Sequence, residues 1–215
     1  MDLEEAIKSR RTIRRFQDRP VPTDLLLKAV GLACWAPNPG NGQAWRFFVV
    51  KERHLLQRLA DALQSKFDLI ASWPEAARFG EAVEAFRRSA ASPLRSAPAV
   101  VAVAYGPYAS LADRILAERG EADPEAARMA ASRRRADTRA ETVAGAVSLL
   151  LLALHSLGLG GCWLGGAMLA KGEAEAILGV PDGFEIFALV PVGYPAESPE
   201  PGARKPQDEV VHLFE

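Results

Sequence analysis

The stretch 143-VAGAVSLLLLAL-154 narrows the possible folds more than any other part of the chain. Wound as a helix it is apolar around nearly its whole circumference, so it needs cover on more sides than an ordinary surface helix does. At 12 residues it falls well short of a membrane span, which takes roughly 18 or more. It therefore predicts a helix buried inside protein on most sides and ended by the glycines of 156-SLGLGG-161, where the left-handed conformation past a helix C-terminus is allowed. One small sheet cannot cover such a helix, and a second subunit is the natural partner.

The rest of the chain supplies the sheet. The run 97-APAVVAVAY-105 is continuously apolar between prolines and reads as a buried strand. The segments 45-WRFFVV-50, 161-GCWL-164 and 185-EIFALVPV-192 have strand character, and so does 210-VVHLF-214 at the end of a proline-rich linker. Helices are predicted around LLLKAVGLACWA with Thr23 as N-cap, over 52–65, over 75–89 with Phe79, Val83 and Phe86 on one side, over 123–141 and over 173–178. Strands alternating with helices imply an α+β fold, a mixed β-sheet flanked by helices, forming a single domain over 1–215. The terminal strand needs an edge to pair with, and its linker is long enough to cross to another subunit, so strand exchange is expected.

Function classes are limited by charge and by what is missing. With 26 Lys+Arg against 27 Asp+Glu the chain lacks the net basic footprint of a general nucleic-acid binder. Cys34 and Cys162 are far apart and outside any zinc or CxxC spacing. The charged N-terminus has no apolar signal segment, and no run is long enough to span a membrane, so a cytoplasmic location is expected. His54, His155 and His212 sit in no catalytic motif, and neither HExxH nor GxSxG occurs. No side chain is nominated as an acid or a base.

Against that near-neutral balance, 8-KSRRTIRRF-16 crowds four arginines into one segment. Lys8 and Arg10 can complement the carbonyl end of a helix over residues 1–9. Arg14 lies beyond Thr12 and Ile13, a β-branched pair suited to extended chain. If residues 10–16 are extended, Arg10, Thr12 and Arg14 share one face, while Arg11, Ile13 and Arg15 share the other. Two guanidinium forks and a hydroxyl on one face suit a phosphate held in one orientation. A phosphate grip without catalytic side chains suggests a cofactor that carries its own chemistry. The dinucleotide fingerprint GxGxxG is absent, so flavin mononucleotide (FMN) fits better than a flavin dinucleotide.

Five segments then resemble the FMN-dependent nitroreductase family in order. They are 9-SRRTIRRF-16 (RRSxRxF in the family), 35-WAPNPGNGQAWRFFVV-50 (APSxxNxQPWxFxV), 157-LGLGGCWLGG-166, 178-LGVPDGFEIFALVPVGYPAE-197 and the basic-proline tail 204-RKPQDEVVH-212. The resemblance implies a nitroreductase-like fold and a homodimer with FMN at the subunit interface. It places Arg10, Arg11, Thr12 and Arg14 in the FMN segment, with Arg10 and Thr12 on the phosphate and Arg14 nearer the ring. Arg204 and Lys205 would approach the phosphate, and Trp163, Leu164, Gly165 and Gly166 would line the ring. Pro37, Asn38, Asn41 and Gln43 would come from the partner subunit.

The implied reaction passes hydride from NADH or NADPH through flavin N5 to a small-molecule acceptor such as a nitroaromatic or a quinone. Alternatives are a flavin-dependent substrate dehydrogenase and a non-catalytic flavin-binding dimer. Thr12 and Asn38 stand where the family usually has Ser, Ala44 replaces its Pro, and 144-AGAVSLLLLA-153 lacks its AxQN-like stretch. Gly165 occupies a position that some members fill with Glu. Residues 66–95 match none of the family's segments and are where helices covering a substrate are expected.

Overall fold

The computed structural model describes residues 2–214. Helix α1 (Leu3–Ser9) is capped by Asp2, whose carboxylate accepts the Glu5 amide hydrogen at 2.8 Å. Helix α2 (Thr23–Ala33) starts one residue earlier than expected: Pro22 is its N-cap, and the Thr23 hydroxyl instead accepts a hydrogen bond from Lys51. Strand β1 (Trp45–Val50) is followed by α3 (Arg53–Ser72), longer than its predicted stretch. A 3₁₀ turn over Pro74–Phe79, α4 (Glu81–Ser89) and α5 (Ser92–Ser96) lead into β2 (Ala99–Tyr105). The predicted helix over 75–89 is interrupted at Gly80, whose φ of 50° only glycine adopts easily.

Helices α6 (Leu111–Arg119) and α7 (Pro124–Arg135) form a hairpin before α8 (Thr138–Ser156). The charged run 123–141, expected as one helix, is cut because Asp137 leaves the helix to cap α8, accepting from the Arg139 amide. Then come β3 (Gly160–Gly161), a 3₁₀ turn over Gly165–Ala170, α9 (Lys171–Leu178), β4 (Glu185–Gly193) and the single turn α10 (Gln207–Val210). No helix among the described residues is long and apolar enough to cross a membrane.

The strands form one sheet in the order β1-β2-β4-β3, with every ladder antiparallel. The expected mixed character is confined to one parallel bridge, Thr12 to Gly161, outside the named strands. The predicted strand 161–164 is shortened: past Gly161 the chain keeps only the bonds Cys162 N–H to Pro191 O and Leu164 N–H to Leu189 O before it coils. The expected strand 210–214 does not form in the single chain. Residues 207–210 make a helical turn, and 211–214 lie exposed without a ladder, because a strand needs a neighbouring edge to satisfy its amides.

Side-chain alternation splits the core into two layers around the sheet. Val101, Val103, Val190 and Val192 face α2 and α8, while Val100, Ala102 and Leu189 face α3 and α9. Between Val103 and Ala104 the register of β4 slips by one residue, so Phe187 and Ala188 fall on the same side. Leu26, Leu59, Leu150 and Leu154 are fully enclosed, each worth roughly 2 kcal/mol of burial. Helix α8 buries Val143, Ala146, Val147, Leu150, Ala153 and Leu154, whereas Ala144, Gly145, Ser148, Leu149 and Leu152 stay partly open to solvent. One chain thus covers about half of the apolar helix that the sequence says should be covered all round.

Candidate functional site

The arginine segment runs extended from the end of α1 into the sheet. Ile13 donates its N–H to Gly161 O at 3.1 Å, and Phe16 bridges Pro195, so the segment lies along β3 and the chain that follows β4. Ile13 and Phe16 are buried and anchor it. Gly160 is required here, because a Cβ on it would sit 2.6 Å from Ile13 Cγ1. A second anchor comes from a residue that the sequence reading gave no role. Glu197 accepts the backbone N–H of Arg14 at 2.6 Å and of Arg15 at 3.0 Å, and the Nε–H of Arg15 at 2.9 Å. Its burial disfavours charge, yet these donors hold its carboxyl below the usual carboxylate range.

Anchored in this way, Arg10, Arg11, Thr12 and Arg14 line a cleft of about 560 Å³, closed on the far side by Pro199, Glu200 and Arg204. Arg11 was expected on the opposite face. Its guanidinium turns back to the Lys8 and Arg10 carbonyls, at 2.7 and 2.9 Å, and so completes the carbonyl end of α1. The side chains of Arg10, Thr12 and Arg14 have no hydrogen-bond or ion-pair partner among the described residues. Arg204 spends one nitrogen on Gly202 and Ala203 carbonyls. Lys205 is exposed and lies outside the cleft lining. Unpaired guanidinium groups around one opening fit a phosphate, which would supply the acceptors they lack.

A smaller cavity of about 210 Å³ adjoins this cleft and shares Arg10 and Arg11 with it. Its floor includes His155 of α8, whose Nε2 lies 2.7 Å from Ser9 Oγ. Burial, followed by the charges of Arg10 and Arg11, lowers the pKa of His155 below the ordinary histidine value.

The other expected ring-lining residues follow β3. Trp163 packs against Phe187, with ring centroids 5.5 Å apart, and the register slip in β4 is what presents Phe187 to it. Gly165 has open space where a Cβ would be, and a Cβ on Gly166 would touch Phe67 at 3.3 Å. Phe67 packs edge-on against Phe86 at 4.3 Å. Phe86 in turn lines an apolar groove with Ile70, Trp73, Phe79 and Val83. The expectation that Phe79, Val83 and Phe86 share one side is met despite the break at Gly80. Leu164 joins the core layer under α3. Cys162 is buried, and its thiol pKa is raised by that burial.

Pro37, Asn38, Asn41 and Gln43 lie on a loop that does not touch the arginine cleft of its own chain. The loop is rigid by construction. Asn38 Oδ1 accepts the Gln43 amide hydrogen at 2.9 Å, while Asn41 and Gln43 hold left-handed φ values of 52° and 44°. Gly42 packs so closely on the Tyr108 ring that a Cβ would sit 2.8 Å from it. A further network was not legible in the sequence: Tyr105 donates to Glu185, which also pairs with Lys171, and Arg139 stacks 4.6 Å from the Tyr105 ring.

The nitroreductase family model matches residues 7–194. An NADH dehydrogenase of Thermus thermophilus is 30% identical over 226 residues, covering 98% of this chain and 95% of that one. A BluB-like flavoprotein of Clostridium difficile shares the fold with a TM-score of 0.85 at 24% identity, each chain fully covered. An FMN-dependent nitroreductase of Clostridium difficile does so with a TM-score of 0.68 at 19% identity, covering 99% of each chain. The matched span takes in the arginine segment, the rigid loop and the glycines after β3, and with it the chain belongs to the nitroreductase family of flavin-dependent oxidoreductases.

Proposed function

We propose that the protein is an FMN-dependent oxidoreductase that takes hydride from NADH or NADPH and delivers it to a small apolar acceptor, a nitroaromatic or a quinone. The observation that carries this reading is the set of unpaired cationic groups, Arg10 and Arg14 with Arg204 beside them, around one cleft next to the Thr12 hydroxyl. FMN supplies a two-electron hydride relay when bound. The protein's part would be to hold it: Arg10, Thr12 and Arg204 would take the phosphate, and Arg14 would serve the ring, where a positive charge favours developing negative charge. Gly165 has open space where a Cβ would be, which is the room a flat ring would need. The apolar groove lined by Ile70, Trp73, Phe79, Val83 and Phe86 offers an aromatic acceptor a surface to lie on.

The site is completed by a second subunit. The half-open face of α8, the exposed Trp35 and the exposed tail residues Val210, Val211, Leu213 and Phe214 are apolar groups that a homodimer would cover. Pro37, Asn38, Asn41 and Gln43, which lie away from their own cleft, then reach the flavin of the partner subunit. The test is purification followed by anaerobic reduction. The expected outcome is a yellow dimer that releases FMN on denaturation and bleaches on addition of NADH or NADPH. Colourless protein that cannot be reconstituted with FMN refutes the reading, and a flavoprotein bleached by neither nucleotide refutes the reductase direction.

A further inference from the structure

We infer that His155 is a positioning residue for the phosphate end of the flavin site: its hydrogen bond to Ser9 fixes the turn from which Arg10 and Arg11 emerge, and its ring takes up a proton when the phosphate binds. The inference rests on the flavin reading above and adds to it a residue that lies outside every segment resembling the family.

The geometry assigns the bond. The Ser9 hydroxyl donates its single hydrogen to Glu5 O at 2.6 Å, so its oxygen accepts from His155 Nε2–H at 2.7 Å. This chain of bonds ties α8 to the last turn of α1, one residue before Arg10. Nε2 carries a hydrogen in both the neutral and the charged ring, so protonation falls on Nδ1 and leaves the Ser9 bond in place. The ring shares its 210 Å³ cavity with Arg10 and Arg11, which also line the phosphate cleft.

The charged groups that face it are Glu5 on α1, Arg10 and Arg11 on the segment that follows, and Glu197 across the cavity. With the cleft free of phosphate, burial and the two arginines disfavour the charged ring. A phosphate dianion held by Arg10 offsets the charge of that arginine beside the ring, so the loaded site holds the proton more tightly than the empty one. By linkage, FMN then binds more tightly as pH falls through the interval between the two values. The phosphate's own ionisation, near pH 6, works in the opposite direction but is identical in any variant compared.

The test uses the purified full-length flavoprotein as wild type, His155→Gln and His155→Ala. Each is diluted, and released FMN is measured by its fluorescence from pH 8 to pH 5.5. Gln can donate to Ser9 from the place of Nε2 but cannot titrate. His155→Gln should match wild type within about twofold at pH 8, where one neutral hydrogen bond replaces another. The ratio of its dissociation constant to that of wild type should then grow by up to about tenfold at pH 5.5, because only the wild-type ring takes up a proton on loading. His155→Ala should be weaker by about two- to tenfold already at pH 8, the loss of one hydrogen bond. A ratio for His155→Gln that stays flat with pH overturns the proton uptake, and with it the inference, as does a folded His155→Ala that holds FMN like wild type at pH 8. Wild-type protein that binds no FMN overturns this inference together with the flavin reading; either of the other failures leaves that reading standing.

Discussion

Replacing Glu197 tests whether the arginine segment is held in place from behind. In Glu197→Ala three donors lose their acceptor at once: the amides of Arg14 and Arg15 and the Arg15 side chain, at 2.6, 3.0 and 2.9 Å. The carboxylate is only 15% exposed, but Arg14 and Arg15 are exposed residues, so water can replace part of what is lost. A net cost of about 1.5 kcal/mol, the lower end for hydrogen bonds to a charged group, is the reasonable figure. In a domain of this size that lowers Tm by roughly 3–6 °C, measurable by circular dichroism. Sign follows from the depressed folded pKa of Glu197. Its contribution is fully present above the unfolded value of about 4.3 and is lost as pH falls through the folded one. The deficit of Glu197→Gln relative to wild type should therefore be present at pH 7 and shrink below pH 4. A Tm unchanged by Glu197→Ala at pH 7, or a deficit of Glu197→Gln that is the same at pH 3 as at pH 7, would refute the reasoning.

Arg10→Ala should weaken FMN binding by about tenfold to a hundredfold, the cost of one charge-assisted partner at a phosphate. Arg133→Ala, whose residue pairs with Asp113 on α6 away from the cleft, should leave FMN affinity within about twofold; equal losses in fluorescence titrations would show that the cleft is not the phosphate site. Gly160→Ala drives a Cβ into Ile13 and should cost about 1–3 kcal/mol in denaturant unfolding, and an unchanged midpoint would mean that the segment is free to move away. Removing residues 207–215 should shift sedimentation from dimer to monomer and release flavin, whereas a monomer that retains stoichiometric FMN would refute the shared site.

Much of this architecture was legible because burial imposes local patterns. Strand β1 matched its predicted span residue for residue, and the alternation over 10–16 correctly brought Arg10, Thr12 and Arg14 to one opening. Arg11 broke the alternation because the bare carbonyls of α1 compete for its guanidinium, and period-two reasoning does not weigh a helix end. The break at Asp137 was hidden because an Asp can sit in a charged helix or cap the next one, and only packing decides. Val210 to Phe214 have strand propensity without a partner edge in their own chain, so the local pattern expected a ladder that one subunit does not form. Glu197 meets Arg14 and Arg15 from more than 180 residues away, and no periodicity carries such a pairing. His155 was set aside as a lone histidine because its partner, Ser9, stands 146 residues distant.

The slip in the β2–β4 ladder makes one position of the central sheet dispensable to its register. Val103 pairs with Ala188 and Ala104 with Ile186, which leaves Phe187 as the residue opposite no one. A chain lacking Phe187 would keep every other residue of β4 on its present face, since 186 and 188 would then alternate as neighbours in a regular strand. Loss of any other single residue within the ladder would turn part of the strand inside out. Strand length can therefore change at this one place without reversing a face, and what changes with it is the aromatic contact of Trp163. The site can be reshaped there without renegotiating the fold.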